Sequence, residues 1–195
     1  MKVFVLTGGI GMGKTAAGEF LQQRGVPLVD TDLLARQIVE PGQPAWQEIR
    51  RAFGNDIVGE DGRLRRDELA RRAFSSTAAR RQLEILTHPR IRELWRSQVA
   101  RWRAEGRPLA VVVIPLLFET GAETELDATV CVACTAATQR QRLAERGWTA
   151  EQIEQRLAAQ WPVAQKMARA DFVVWSEGDR AVLEEQLRRV FSLPG

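Results

Sequence analysis

The sequence predicts a three-layer α/β protein, with a parallel sheet of about five strands between helices and a helical insertion after the second strand. Three observations carry this reading. Short apolar, β-rich runs recur at residues 2–7, 27–30, 109–114, 128–133 and 172–175, separated by segments with helical spacing. A glycine-rich turn stands between the first run and the first helix. The stretch 36–107 contains no strong strand and no Ser/Gly/Pro-rich linker at its borders, so it reads as an insertion into one fold.

Each element has a local reason. Lys2 to Thr7 is an apolar run stopped by glycines, hence a buried strand. From Lys14 to Arg24, Ala17, Phe20 and Leu21 recur at helical spacing before Gly25. Pro27 to Asp30 is a second short strand, and Leu33 to Val39 a helix stopped by Pro41-Gly42. Residues 54–62 are turn-rich. Residues 67–86 and 90–104 read as two Arg-rich amphipathic helices broken at Pro89. Leu109 to Ile114 is the most β-like run, and Pro115 should end it, because proline cannot donate to a ladder. Thr149-Ala150-Glu151-Gln152 matches a capping box and should open a helix. Arg180 to Phe191 is the final helix.

Composition sets the broad class. The 195 residues are 45% apolar and 27% charged, ordinary values for a soluble globular chain. No apolar run approaches the ~20 residues a membrane span needs. The Val3–Leu6 run is shorter than the roughly 7–15 apolar residues of a secretion signal. With two cysteines there is no disulfide scaffold, and the reading is cytoplasmic with no membrane partner. Of 28 basic residues, 25 are Arg and three are Lys (Lys2, Lys14 and Lys166). Residues 36–107 hold 16 Arg against 10 acids, a net of +6. That balance suits either an anionic small molecule or a solvated helical surface. The ten interleaved acids argue against a nucleic-acid partner.

Gly8-Gly9-Ile10-Gly11-Met12-Gly13-Lys14-Thr15 matches G-x-x-x-x-G-K-[ST] in full, after a strand and before a helix. Glycines let the backbone turn tightly and aim N–H groups at phosphate oxygens. The following helix adds positive potential at its N-terminus. Lys14 is placed to neutralise β- and γ-phosphates, and the Thr15 hydroxyl to ligate Mg²⁺. Gly8, Gly9, Gly11, Met12, Gly13, Lys14, Thr15 and Ala16 are therefore the expected ATP-binding residues.

Other candidates keep two readings each. Asp30 and Asp32 lie beyond the second strand, where open α/β sheets bind ligands. Either carboxylate could take a proton or help hold Mg²⁺, or could cap the next helix. Glu119 is a second-sphere Mg²⁺ carboxylate or a helix-start residue. His88, the one histidine, is a ligand contact or a cap at a helix break. Cys131 and Cys134 spell C-x-x-C but read as core residues. Arg140, Arg142, Arg146, Arg156, Lys166 and Arg169 lie between the last two strands, as phosphate clamps or as a solvated helix face. Most of the six tryptophans read as packing residues. The one asparagine, Asn55, precedes Asp56, so the Asn-Lys-x-Asp guanine reader is absent. A small-molecule kinase fits best.

Taken together, these residues resemble the dephospho-CoA kinase family over roughly residues 3–180. The carriers are the Leu6–Thr15 loop, Asp30-Thr31-Asp32 with Ala35-Arg36, and Asp61-Gly62-Arg63-Leu64 with Arg66, Leu69 and Phe74. His88-Pro89, Pro115-Leu116-Leu117-Phe118-Glu119 and the tail Gln139, Arg142, Arg146, Arg156, Gln160 complete the set. The resemblance implies transfer of the ATP γ-phosphate to the ribose 3′-hydroxyl of dephospho-CoA, the last step of coenzyme A biosynthesis. It implies a P-loop, nucleoside-monophosphate-kinase-like core (1–35, 108–137, 170–195), a helical CoA-substrate domain (36–107) and a lid (138–169). Carried over, Lys14, Asp32, Arg142 and Arg146 are catalytic, with Asp32 the general base. Asp32, Arg36, His88, Pro115 and Leu116 contact the acceptor. Met12, Ala16, Gly147 and Ser176 stand where the family usually has other residues.

Overall fold

The computed structural model describes residues 1–73, 75–122 and 126–194. The chain divides into two compact units, residues 1–30 with 101–195, and residues 31–100. Among the described residues the first unit holds five strands: β1 (Lys2–Thr7), β2 (Leu28–Asp30), β3 (Leu109–Val113), β4 (Ala128–Ala133) and β5 (Phe172–Trp175). All pair in parallel, in the order β2-β3-β1-β4-β5. Parallel strands covered on both faces must be apolar on both. Accordingly Phe4, Leu6, Val111, Val130 and Val132 pack on one face, while Val5, Val112 and Cys131, of the opposite parity, are equally buried.

The first of those faces carries α1 (Lys14–Gln23) and α9 (Arg180–Phe191). Phe20 and Leu21 of α1 and Leu183, Leu187 and Phe191 of α9 complete its core. The register sets the strand ends level, since Leu6 pairs with Val113 and Val113 with Asp30. The glycine turn and the ends of β2 and β3 therefore leave the sheet at the same edge. Between β4 and β5 run α6 (Ala136–Glu145), α7 (Ala150–Ala158) and α8 (Val163–Arg169).

The capping box expected at Thr149 is present. The Thr149 N–H donates to Gln152 Oε1 (3.0 Å), and the Gln152 N–H donates to Thr149 Oγ1 (3.3 Å). Thr149→Ala should cost about 1 kcal/mol, read as a fall in Tm of roughly 2–4 °C in a thermal melt.

The second unit contains α2 (Thr31–Gln37), α3 (Pro44–Phe53), α4 (Arg66–Ala73) and most of α5 (Thr77–Ala104). Its own core is Ile49, Phe53, Ile57, Leu64, Leu69 and Ala73. Arg72 ties it together, donating to Phe53 O (2.6 Å), Asp56 Oδ2 (2.8 Å) and Glu68 Oε1 (2.6 Å). Trp46 Nε1 donates to Gly62 O (3.1 Å), which makes that tryptophan a packing residue. Phe74, one of the residues quoted for the family resemblance, lies outside the described residues.

The break expected at Pro89 does not occur: α5 continues through it. An interior proline costs about 3 kcal/mol because it gives up one ladder bond and crowds the preceding turn. Side chains occupy the neighbouring carbonyls, with Thr87 Oγ1 on Leu83 O (2.8 Å) and an Arg90 guanidinium nitrogen on Leu86 O (2.6 Å). Arg90 is itself held by both Glu48 carboxylate oxygens of α3, at 2.8 and 2.9 Å. Tertiary packing thus overrides the local signal. Among the described residues no helix is long and apolar enough to cross a membrane.

Candidate active site

The glycine turn is built for close approach. Gly8 has φ 140°, and a Cβ there would stand 2.3 Å from the Val132 carbonyl oxygen on β4. Gly13 caps α1 at φ 93°, where a Cβ would meet Ser176 Oγ at 2.7 Å. Both positions demand glycine, and the result is a loop pressed against the end of the sheet with α1 starting from it. Lys14 Nζ folds back over the turn and donates to Gly8 O (2.8 Å) and Gly9 O (2.9 Å). The ammonium is thereby held at the loop mouth.

Side chains from the α6–α8 segment hold the loop in shape. The Ile10 N–H donates to Gln160 Oε1 (3.1 Å), and buried Gln139 donates through Nε2 to Ile10 O (2.6 Å). The Met12 side chain is buried, with its sulfur accepting from the Cys134 N–H (3.1 Å). Methionine therefore fills the space behind the loop. Ser176 does a similar task from the β5 end. Its hydroxyl donates to Met12 O and accepts from Arg142, both at 2.8 Å, and its carbonyl accepts from Arg142 at 2.5 Å.

A cleft of about 360 Å³ opens here, lined by Gly11, Gly13, Thr15, Ala16, Arg142, Arg146 and, from the α9 side, Gly178 to Arg180. Thr15 sits in the first turn of α1, facing this space. No group of three or more His, Cys, Asp or Glu that could cage a cation exists among the described residues. One hydroxyl beside a triphosphate suits Mg²⁺, which keeps several waters and takes its other ligands from phosphates.

The basic residues between β4 and β5 separate cleanly. Arg140 pairs with Glu154 at 2.9 Å, Arg156 lies over the Trp148 ring and Arg169 over the Trp161 ring. Lys166 is fully buried against Glu119 at 2.7 Å. Arg142 and Arg146 alone of the six line the cleft. Arg142 is fixed by Ser176, whereas the exposed Arg146 side chain makes no ion pair or hydrogen bond among the described residues. Glu119 is not a helix-start residue: it lies in a turn, its Oε1 bound to Lys166 and to the Trp161 N–H (2.9 Å).

Asp30 closes β2, and Asp32 is exposed in the first turn of α2. Asp32 is the second residue of that helix, so it does not cap it. Arg36 is exposed in the last turn of the same helix. Pro115 and Leu116, half-buried, follow β3. His88 is not a helix-end cap, because α5 runs through it; with Arg92, Arg96 and Ser97 it lines a 590 Å³ groove on the helical unit. Desolvation, with Arg92 and Arg80 adding and Glu84 opposing, holds its imidazole below the usual pKa. Cys131 and Cys134 are buried free thiols, and burial pushes Cys131 up to about 11.

The sequence reading underweighted Gln139, Gln160 and Ser176, which touch the loop backbone. Two of them were visible only as part of the family pattern, and Ser176 only as a departure from it.

Comparison with known proteins gives the family. The dephospho-CoA kinase family model matches residues 2–181. The dephospho-CoA kinase of Anaeromyxobacter dehalogenans (strain 2CP-C) is 46% identical over 193 residues, 98% of this chain and 92% of that one. The crystal structure of TT1252 from Thermus thermophilus superposes with TM-score 0.87 at 35% identity, covering 100% of this chain and 98% of that one. Dephospho-CoA kinase from Campylobacter jejuni shares the fold, with TM-score 0.72 at 24% identity, 98% of this chain and 96% of that one being covered. With a glycine loop, an arginine-lined cleft and family similarity along nearly its whole length, this chain belongs to the dephospho-CoA kinase family.

Proposed function

We propose that the protein transfers the γ-phosphate of ATP in line to the ribose 3′-hydroxyl of dephospho-CoA, giving CoA and ADP. The single observation that carries the reading is the glycine loop with Lys14 and Thr15 at the mouth of a cleft lined by Arg142 and Arg146. Phosphoryl transfer needs little covalent help from the protein, so positioning and charge stabilisation dominate.

In this reading the loop N–H groups and Lys14 hold the β- and γ-phosphates. Mg²⁺, when bound through Thr15 and phosphate oxygens, supplies further neutralisation of the triphosphate. Arg142 is held ready at the cleft wall, and exposed Arg146 closes on the migrating group. Residues 138–169 act as the lid, and the helical unit carries the acceptor. Asp32 accepts the proton of the attacking hydroxyl. Arg36, His88, Pro115 and Leu116 are the acceptor contacts, the Arg36 guanidinium suiting an acceptor that bears a pyrophosphate.

The test is an ADP-release assay with ATP and Mg²⁺ across a panel of acceptors. Dephospho-CoA should turn over far faster than nucleoside monophosphates or simple polyols, with the product phosphorylated at the 3′ position. Equal or better turnover of another acceptor overturns the assignment.

A further inference from the structure

Beneath the glycine loop runs a buried polar network that the proposed chemistry does not use. Lys166 Nζ lies 2.7 Å from Glu119 Oε1 and donates to Pro115 O at 2.9 Å. The Lys166 side chain is 0% exposed and that of Glu119 is 10% exposed, so both charges are out of water. From this pair the network reaches the loop twice. Pro115 O also accepts from Thr7 Oγ1 (3.3 Å), and Thr7 is the residue that enters the loop. Glu119 Oε1 also accepts from the Trp161 N–H (2.9 Å), and the adjacent residue is Gln160, which holds the Ile10 N–H.

A buried ion pair is a poor way to gain stability, since desolvation cancels most of the attraction and apolar residues would pack as well. What the pair does provide is direction. It fixes the backbone at 115 and at 161 together, and those two points govern the entry and the apex of the loop.

We propose that Glu119 and Lys166 are positioning residues for nucleotide binding, acting through Gln160 and Thr7 to keep the loop's N–H groups turned inward. The proposal rests on the reading that this loop binds ATP. Glu119 and Lys166 do not touch the nucleotide. Their effect passes through the Ile10 peptide, which is gripped on its N–H side by Gln160.

The experiment is equilibrium binding of Mg²⁺–ADP to the full chain, measured well below Tm, with the melt of each variant recorded beside it. Glu119→Gln/Lys166→Met neutralises both partners together, so no lone charge is left in the interior. Gln160→Leu, at a half-buried position, removes the last link alone. Each should weaken ADP about tenfold, and the triple variant should be no weaker than either, because coupled groups on one path are non-additive. Wild-type ADP affinity in either folded variant overturns the proposal, as does a triple variant whose losses multiply. A merely structural pair would lower Tm and leave affinity alone. If the double variant does not fold, Gln160→Leu decides by itself, unchanged affinity being the negative result. Wild-type protein that fails to bind ADP would instead sink the function reading, which separates the two failures.

Discussion

Lys14→Met will lower kcat/KM for ATP by about 10²–10³-fold, the scale seen when one charge-stabilising donor is removed from a reacting centre. The ground for this lies in where the ammonium sits. Its Nζ donates to the carbonyls of Gly8 and Gly9 at 2.8 and 2.9 Å, so the charge is fixed by the loop that also presents the N–H groups. Methionine keeps the length of the side chain and removes the donor and the charge. Phosphate then meets backbone N–H groups and the helix terminus without the cation that offsets charge on its β- and γ-oxygens. Steady-state kinetics in ATP, with a melting curve beside them, check it. Turnover within threefold of wild type in a folded variant would show that the ammonium is not part of the phosphate site.

Much of this architecture was readable before any coordinates, for reasons that differ by residue. The five strands announce themselves because a parallel sheet buried on both faces needs unbroken apolar runs such as Ala110 to Ile114. The glycine loop is legible because Gly8 and Gly13 occupy positions a Cβ cannot share with Val132 and Ser176. Thr149 and Gln152 reveal a helix start because the capping box is a purely local arrangement.

Long-range pairing was hidden. Nothing near Pro89 in sequence shows that Arg90 will be gripped by Glu48, 42 residues away. For the same reason the α5 break was expected and did not occur. Lys166 looked like one more member of a basic cluster, although it is fully buried against Glu119. Arg140 and Arg142, two residues apart, looked alike. Their directions on α6 send one to Glu154 and the other to Ser176. Side-chain direction around a helix, combined with a distant partner, decides such roles, and a linear motif carries neither.

Asp32→Asn carries the other large expected effect: a fall in kcat of about 10²–10⁴-fold, the range for loss of a positioned general base. Asn keeps the shape of the side chain and much of its hydrogen bonding but cannot take a proton. Asp32 lies two residues past the end of β2, whose last residue is in register with Val113 at the end of β3. In open α/β sheets that edge is where substrates sit. Asp32 is exposed in the first turn of α2. Because Asp32 is not part of the glycine loop, Mg²⁺–ATP affinity should stay within about twofold of wild type while kcat falls. This split between binding and turnover distinguishes a base from a residue that merely braces the fold. An Asp32→Asn enzyme with near-normal kcat, or one that loses ATP affinity in proportion to its rate, would assign the proton transfer elsewhere, with Asp30 the next carboxylate to replace.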